Sequence, residues 1–110
     1  MNKGIVFLMG ALGLALASPA AAEVDWQETC RIGSDTAENM MLERQSGVSM
    51  ADQMEGVEGN VVGERWVIEA YNRPRYHTKE HQRRAIEEFR DWAYKDCISK
   101  IGPGGSLRED

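Results

Sequence analysis

Two histidines and a glutamate lie close together in the second half of the chain. His77, Glu80 and His81 are residue types that transfer protons and bind zinc. A histidine beside a carboxylate can act as a general base, but catalysis also needs a nucleophile or a bound substrate within hydrogen-bond reach. No serine lies in a recognisable nucleophile motif, and zinc would need a further ligand. The alternative is a pair of solvent-exposed histidines, and we predict no catalytic residue and no cofactor.

Four methionines form a second group with chemical potential. Met40, Met41, Met50 and Met54 are all the methionines after residue 22, and they flank one predicted helix–turn–helix corner. Thioethers can bind Cu(I), and flexible apolar side chains can line a groove for varied partners. The alternative is that they fill the core of a small domain. Among the binding interpretations, a peptide or protein partner is favoured over copper.

A basic run interrupts an otherwise acidic chain. It includes Arg73, Arg75, Arg83 and Arg84, and it leads into the start of a predicted helix. Free backbone N–H groups at a helix N-terminus can hold an anion, and arginine adds forked donors. The alternative is a solvated surface on which these arginines pair with nearby carboxylates.

The first 22 residues have the three parts of a secretory signal peptide. Lys3 gives a basic start, residues 5–17 form an apolar run, and small residues end at Ala22. The apolar run is shorter than the ~20 residues of a membrane-spanning helix. We therefore predict cleavage before Glu23, a periplasmic or secreted location, and no membrane insertion after cleavage.

The net charge excludes two classes of partner. The chain carries −5, which becomes −6 when Lys3 leaves with the predicted signal peptide. General nucleic-acid binding requires a basic surface, and so does electrostatic docking on anionic lipid. We predict neither.

The two cysteines, Cys30 and Cys97, are predicted to form a disulfide. In an exported protein an even pair usually does so, and both residues fall on predicted apolar helix faces. In the chain-entropy account, closing so long a loop stabilises the fold by about 4 kcal/mol.

Hydrophobic periodicity predicts the helices that position these groups. The first runs from Asp25 to Ser46 and ends at Gly47; the second is short, is capped by Ser49, and buries Met50, Met54 and Val57. The third runs from Val61 or Gly63 to Tyr71, and the fourth follows the Thr78 cap to Ile101. The predicted fold is an all-α, four-helix domain over residues 23–101 with a disordered tail at 102–110. A disulfide requires Cα atoms within ~7 Å, so the first and last helices should lie antiparallel.

A pattern of packing, capping and cysteine positions runs through nearly all of the chain after residue 22. Its members are Cys30, Ala37, Met40, Arg44, Gln45, Gly47, Met50, Met54, Ile68, Ala70, Tyr71, Pro74, Arg75, Tyr76, Thr78, Gln82, Ala85, Ile86, Phe89 and Cys97. This pattern resembles a family of short exported bacterial proteins that has no assigned activity. The resemblance implies a small helical periplasmic or secreted domain with one disulfide, and it adds no catalytic residue.

The function predicted from these observations is a non-catalytic binding or interaction module of the cell envelope. Its expected partner is another envelope protein or a peptide, and its expected state is a monomer or a weak dimer. Two alternatives remain open. One is a metal-binding protein or metal-dependent hydrolase that uses His77, Glu80 and His81, and the other is an anion-recognition module that uses Arg73 to Arg84.

Overall fold

The computed structural model describes residues 25–107, and within them the chain forms four helices and no strand. We number the helices α1 (Trp26–Ser46), α2 (Met50–Gly56), α3 (Val61–Tyr71) and α4 (Lys79–Ile101). The predicted all-α class is confirmed. The predicted signal peptide, residues 1–22, lies outside the described residues, as do residues 108–110.

Each helix begins where the sequence offers a polar side chain to an unpaired backbone N–H. The capping side chains accept from the N–H three residues on, and they belong to Asp25, Ser49, Asn60 and Thr78. α1 ends at Gly47, whose φ of 99° is in the left-handed region that glycine adopts without a steric penalty. The N–H groups of Gly47 and Val48 bond to the last carbonyls of the helix. The predicted caps Ser49, Thr78 and Gly47 are confirmed.

α1 and α4 pack most closely, and they run antiparallel. Cys30 near the start of α1 is bonded to Cys97 near the end of α4, with their Cα atoms 5.5 Å apart. Further along, Arg90 of α4 pairs with Asp35 of α1 at 3.1 Å and Glu38 at 3.5 Å. The predicted disulfide and helix arrangement are therefore confirmed.

The core lies where α1, α3 and α4 meet. It is apolar and contains two methionines and two aromatic rings, and its buried members are Ala37, Met40, Met41, Trp66, Val67, Ala70, Phe89 and Ala93. None of the helices in residues 25–107 has the length and hydropathy needed to cross a membrane.

The buried edge predicted for α2 is wrong in part. Met50 is 38% exposed, while Met54 and Val57 pack at the margin of the core. The buried residue is Gln53, whose Nε2 donates to Met40 O and to Tyr71 Oη, both at 2.9 Å. A helix of seven residues buries little apolar area, and these hydrogen bonds tie it to its neighbours.

Residues 102–107 follow a hydrogen-bonded path after the end of α4. The disorder predicted for residues 102–110 stays a prediction. The N–H of Gly102 donates to Ile98 O at 2.8 Å, and that of Leu107 donates to Lys100 O at 2.7 Å. Gly105 allows this close return, because a Cβ there would lie 2.6 Å from the carbonyl oxygen of Lys100. The segment therefore folds back over the last turn of α4.

Candidate functional site

The structure gives the histidine group no enclosed site. His77, Glu80 and His81 are all exposed at the start of α4. His81 Nδ1 lies 2.9 Å from the capping hydroxyl of Thr78, and Glu80 pairs with Arg84 at 3.6 Å. No group of three or more histidine, cysteine, aspartate or glutamate side chains in residues 25–107 is arranged to hold a metal ion.

The four arginines of the basic run have separate partners. The Arg73 guanidinium lies over the rings of Phe89 and Trp92, at 5.0 and 5.3 Å, and bonds to Glu69 at 3.2 Å. Arg75 Nε donates to Gln45 O at the end of α1. These two side chains therefore hold the loop between α3 and α4 against the core.

The other two arginines of the run pair along α4. Arg83 lies 3.9 Å from Glu87, and Arg84 lies 3.6 Å from Glu80. All four side chains are exposed, and such pairs contribute little to stability. The structure does not bring the four arginines of the run together around one anion.

The four methionines divide between core and surface. Met40 and Met41 are buried and Met54 lies against the core, which leaves Met50 as the exposed member. They therefore do not form one open surface for a partner. Met40 nevertheless also lines a groove on another side of the domain.

This groove has a volume of about 340 Å³ and lies between α1, α3 and the end of α4. Its α1 wall is built by four residues spaced four, three and four apart, which places them on one helix face. They are Thr29, Gly33, Thr36 and Met40. The opposite walls are mainly apolar and come from Val57, Val62, Gly63, Trp66, Cys97, Ile101 and Leu107.

The groove exists because α3 lies close to α1, whereas long aromatic side chains lie between α3 and α4. Gly33 lets the Trp66 ring lie against α1, since a Cβ at residue 33 would be 3.2 Å from the ring. Toward α4, Trp66 meets Trp92 edge to face, with ring centroids 6.4 Å apart. Small residues on one side and long side chains on the other leave the space between them unfilled.

Asp96 organises the polar rim of the groove. Its carboxylate accepts two hydrogen bonds from Arg65, at 2.8 and 3.3 Å, and one from Trp66 Nε1 at 2.8 Å. Lys100 Nζ donates to it at 3.0 Å from one turn further along α4. The carboxylate therefore links α3 to α4 and fixes the indole that forms the groove wall.

These contacts hold Asp96 in its charged form. Burial alone would raise the pKa of Asp96, but the hydrogen bonds from Arg65, Trp66 and Lys100, with the charge of Arg65, lower it to about 2. Among residues 25–107, the charged residues that line the groove are Arg65, Asp96 and Lys100. The rim thus carries one net positive charge, whereas the chain as a whole carries −5.

Sequence reasoning did not single out Asp96, Arg65 or the groove. The spacing of Asp96 and Lys100 does indicate that their side chains can pair, because residues four apart in a helix are neighbours. The pairing with Arg65 spans 31 residues, and no local pattern reveals it. Leu107 was missed because it lies in the segment predicted to be disordered.

Comparison of the chain with protein-family models, with curated proteins and with solved structures finds no match. The family resemblance in the sequence therefore stays a prediction. Function has to be inferred from the geometry of the groove and its rim.

Proposed function

We propose that this protein is a non-catalytic binding module outside the cytoplasm, and that it takes an apolar segment of a partner peptide or envelope protein into the groove. The single observation that carries the proposal is the groove itself, with about 340 Å³ of space and mainly apolar walls. This volume falls within the usual range for ligand sites. At about 30 Å³ per water molecule, it corresponds to about eleven waters that an apolar ligand would displace.

The polar groups at the edges of the groove suit a peptide better than a plain hydrocarbon. Thr29, Thr36 and Asn60 line it among the apolar residues. A bound peptide must pair its backbone N–H and C=O groups, and hydroxyl and amide side chains can do so. A hydrocarbon chain would leave those side chains without a ligand partner.

The chemistry of the rim supports binding over catalysis. Within residues 25–107, Asp96 is the carboxylate that lines the groove, and four hydrogen bonds from three side chains already occupy it. With its pKa lowered to about 2, it is a weak general base at neutral pH.

Export is supported by the disulfide. Cys30 and Cys97 are bonded, and such bonds persist mainly in oxidising compartments. The signal-peptide pattern in residues 1–22 supports the same location. A partner would then be met in the cell envelope or outside the cell.

The test uses the oxidised protein recovered from cells that express the full chain. The peptide Ser-Ala-Leu-Val-Leu, with a fluorophore on its N-terminal amine and a free C-terminal acid, is titrated and followed by anisotropy. Ser-Ala-Asp-Ser-Asp, labelled in the same way, is the polar counterpart. We expect saturable binding of the apolar peptide alone. The substitution Val62→Asp places a charge on the groove wall and should weaken binding at least about tenfold.

The neighbouring residue supplies a matched control. Val61 is 75% exposed and does not line the groove, whereas Val62 is 44% exposed and does. Val61→Asp should therefore leave binding unchanged, and circular dichroism should show both variants folded. No binding of the apolar peptide, or equal loss in the two variants, would refute the proposal.

A further inference from the structure

We infer that the groove recognises the free C-terminal carboxylate of an apolar peptide, and that Arg65 and Lys100 hold it. This inference rests on the proposed function, since it names the end of the peptide that the groove would receive. Both residues line the groove and belong to different helices. A carboxylate bound between them would leave the apolar side chains of the peptide over the Trp66 wall.

Both cations keep hydrogen-bond donors for a second carboxylate. Arg65 has five N–H donors, and its contacts with Asp96 use the Nη1 and Nη2 atoms. Lys100 has three donors and makes one contact with Asp96. Their side chains are 40% and 34% exposed, so a ligand in the groove can reach them. Charge-assisted bonds of this kind are the stronger class of hydrogen bond.

The charge of the rim matches one carboxylate. Arg65 and Lys100 contribute two positive charges, and Asp96 contributes one negative charge. No other charged side chain of residues 25–107 lines the groove, so one bound carboxylate would balance the charges of these three residues. A cationic ligand would face a net positive rim on a chain that is otherwise acidic.

Asp96 serves in this arrangement as a positioning residue. Without it the two cations would repel each other, and their long side chains would lose a fixed geometry. With Asp96 present, its carboxylate holds the guanidinium of Arg65 and the ammonium of Lys100 in place before a ligand arrives. Such preorganisation lowers the entropic cost of binding.

The experiment compares two peptides that differ only at the C-terminus. Acetyl-Ser-Ala-Leu-Val-Leu is prepared with a free acid and with an amide, and each competes with the labelled acid peptide at 50 mM salt. We expect the acid to bind at least about tenfold more tightly than the amide. Lys100→Gln should reduce this preference, and Lys100→Arg should keep most of it, because charge is retained.

A lysine elsewhere on α4 supplies the control. Lys95 is exposed and does not line the groove, so Lys95→Gln should leave the acid-over-amide ratio unchanged. The ratio within one variant does not depend on the overall stability of that variant. If the role of Lys100 were purely structural, the acid-over-amide ratio of Lys100→Gln would therefore equal that of the wild type.

The outcomes separate this inference from the proposed function. Equal binding of acid and amide overturns the carboxylate inference and leaves the peptide groove standing. Binding of neither peptide overturns both. Decanoate that binds in calorimetry when neither peptide binds would assign the groove to an acyl chain. A dimer in sedimentation that Val62→Asp dissociates would assign the groove to a second copy and overturn the inference.

Discussion

Replacing Asp96 with asparagine removes the charge at the centre of the rim and nearly preserves the size of the side chain. The amide keeps one acceptor oxygen, but it places an NH2 donor where Arg65, Trp66 or Lys100 now donates. At least one of these donors then loses its acceptor. We expect the Asp96→Asn variant to fold, because the disulfide and the apolar core remain, but with reduced stability.

The size of the effect follows from the pKa of Asp96. A value of about 2 in the folded protein, against the ordinary 3.8, corresponds to about 2 kcal/mol in the free energy of unfolding. The side chain is 14% exposed, so solvent screening leaves most of this contribution. Because folding lowers the pKa, the contribution is complete well above pH 3.8. It is lost as the pH falls through 3.8 toward about 2.

The assay is urea unfolding of the oxidised protein at several pH values between 7 and 2, followed by circular dichroism. Wild type should exceed Asp96→Asn by about 2 kcal/mol at pH 7, and the difference should shrink toward zero near pH 2. Asp91→Asn is the control, since Asp91 is exposed on the same helix and pairs with no described residue. Its effect should stay within about 0.5 kcal/mol.

Two results would refute the reasoning. The first is an equal loss of stability in Asp91→Asn and Asp96→Asn, which would show that net charge matters and the contacts of Asp96 do not. The second is a difference for Asp96→Asn that persists unchanged at pH 2, where about half of the wild-type carboxylates should be protonated and most of the contribution lost. The carboxyl carbon of Asp96 can be followed by NMR to measure its pKa directly.

Two further predictions concern the rest of the fold. Replacing both Cys30 and Cys97 with serine should lower the free energy of unfolding by about 4 kcal/mol, because the disulfide joins residues that are 67 positions apart in the sequence. An unchanged urea midpoint would contradict this prediction. Gln45→Leu should cost about 2 kcal/mol, because it leaves Pro74 O and the Tyr76 N–H without their buried partner. The exposed Gln27→Leu is its control, and unchanged hydrogen exchange at the Tyr76 N–H in Gln45→Leu would count against the assigned contact.

Features of the fold that depend on near neighbours could be predicted from the sequence. Ser49 and Thr78 cap helices because a hydroxyl satisfies an N–H only three residues away. Gly47 ends α1 because the left-handed conformation needed there favours glycine. The disulfide is not local, but a chain with two cysteines leaves only one possible pair.

Features that depend on distant partners could not be predicted in the same way. Gln45 looks like an ordinary polar helix residue, yet it is buried because it bonds the loop that begins 27 positions later, through Pro74 and Tyr76. Arg73 belongs to a basic run that suggests anion binding, yet its guanidinium covers Phe89 and Trp92. In each case the residue type is compatible with an exposed side chain, and only the packing of the helices determines that the side chain contacts distant parts of the fold instead.

The groove was beyond prediction for a different reason. It depends on how far apart three helices stand, and that distance is set by pairs such as Gly33 with Trp66 and Arg65 with Asp96. Hydrophobic periodicity shows which face of a helix is apolar, but it does not show whether the opposing face fills the space. Trp66 belongs to the core and also forms a wall of the groove, and no local pattern indicates the second role.

The presence of Asp96 in a site proposed to receive a carboxylate has a physical explanation. Two cations alone would attract an anion more strongly, but they would repel each other and sample many rotamers on flexible stems. Asp96 reduces the net charge of the rim, but it also fixes the positions of Arg65 and Lys100 and accepts a hydrogen bond from the Trp66 N–H. The bonds that join α3 to α4 therefore also aim the donors and the aromatic wall of the groove. Stability and recognition in this domain thus depend on the same side chain.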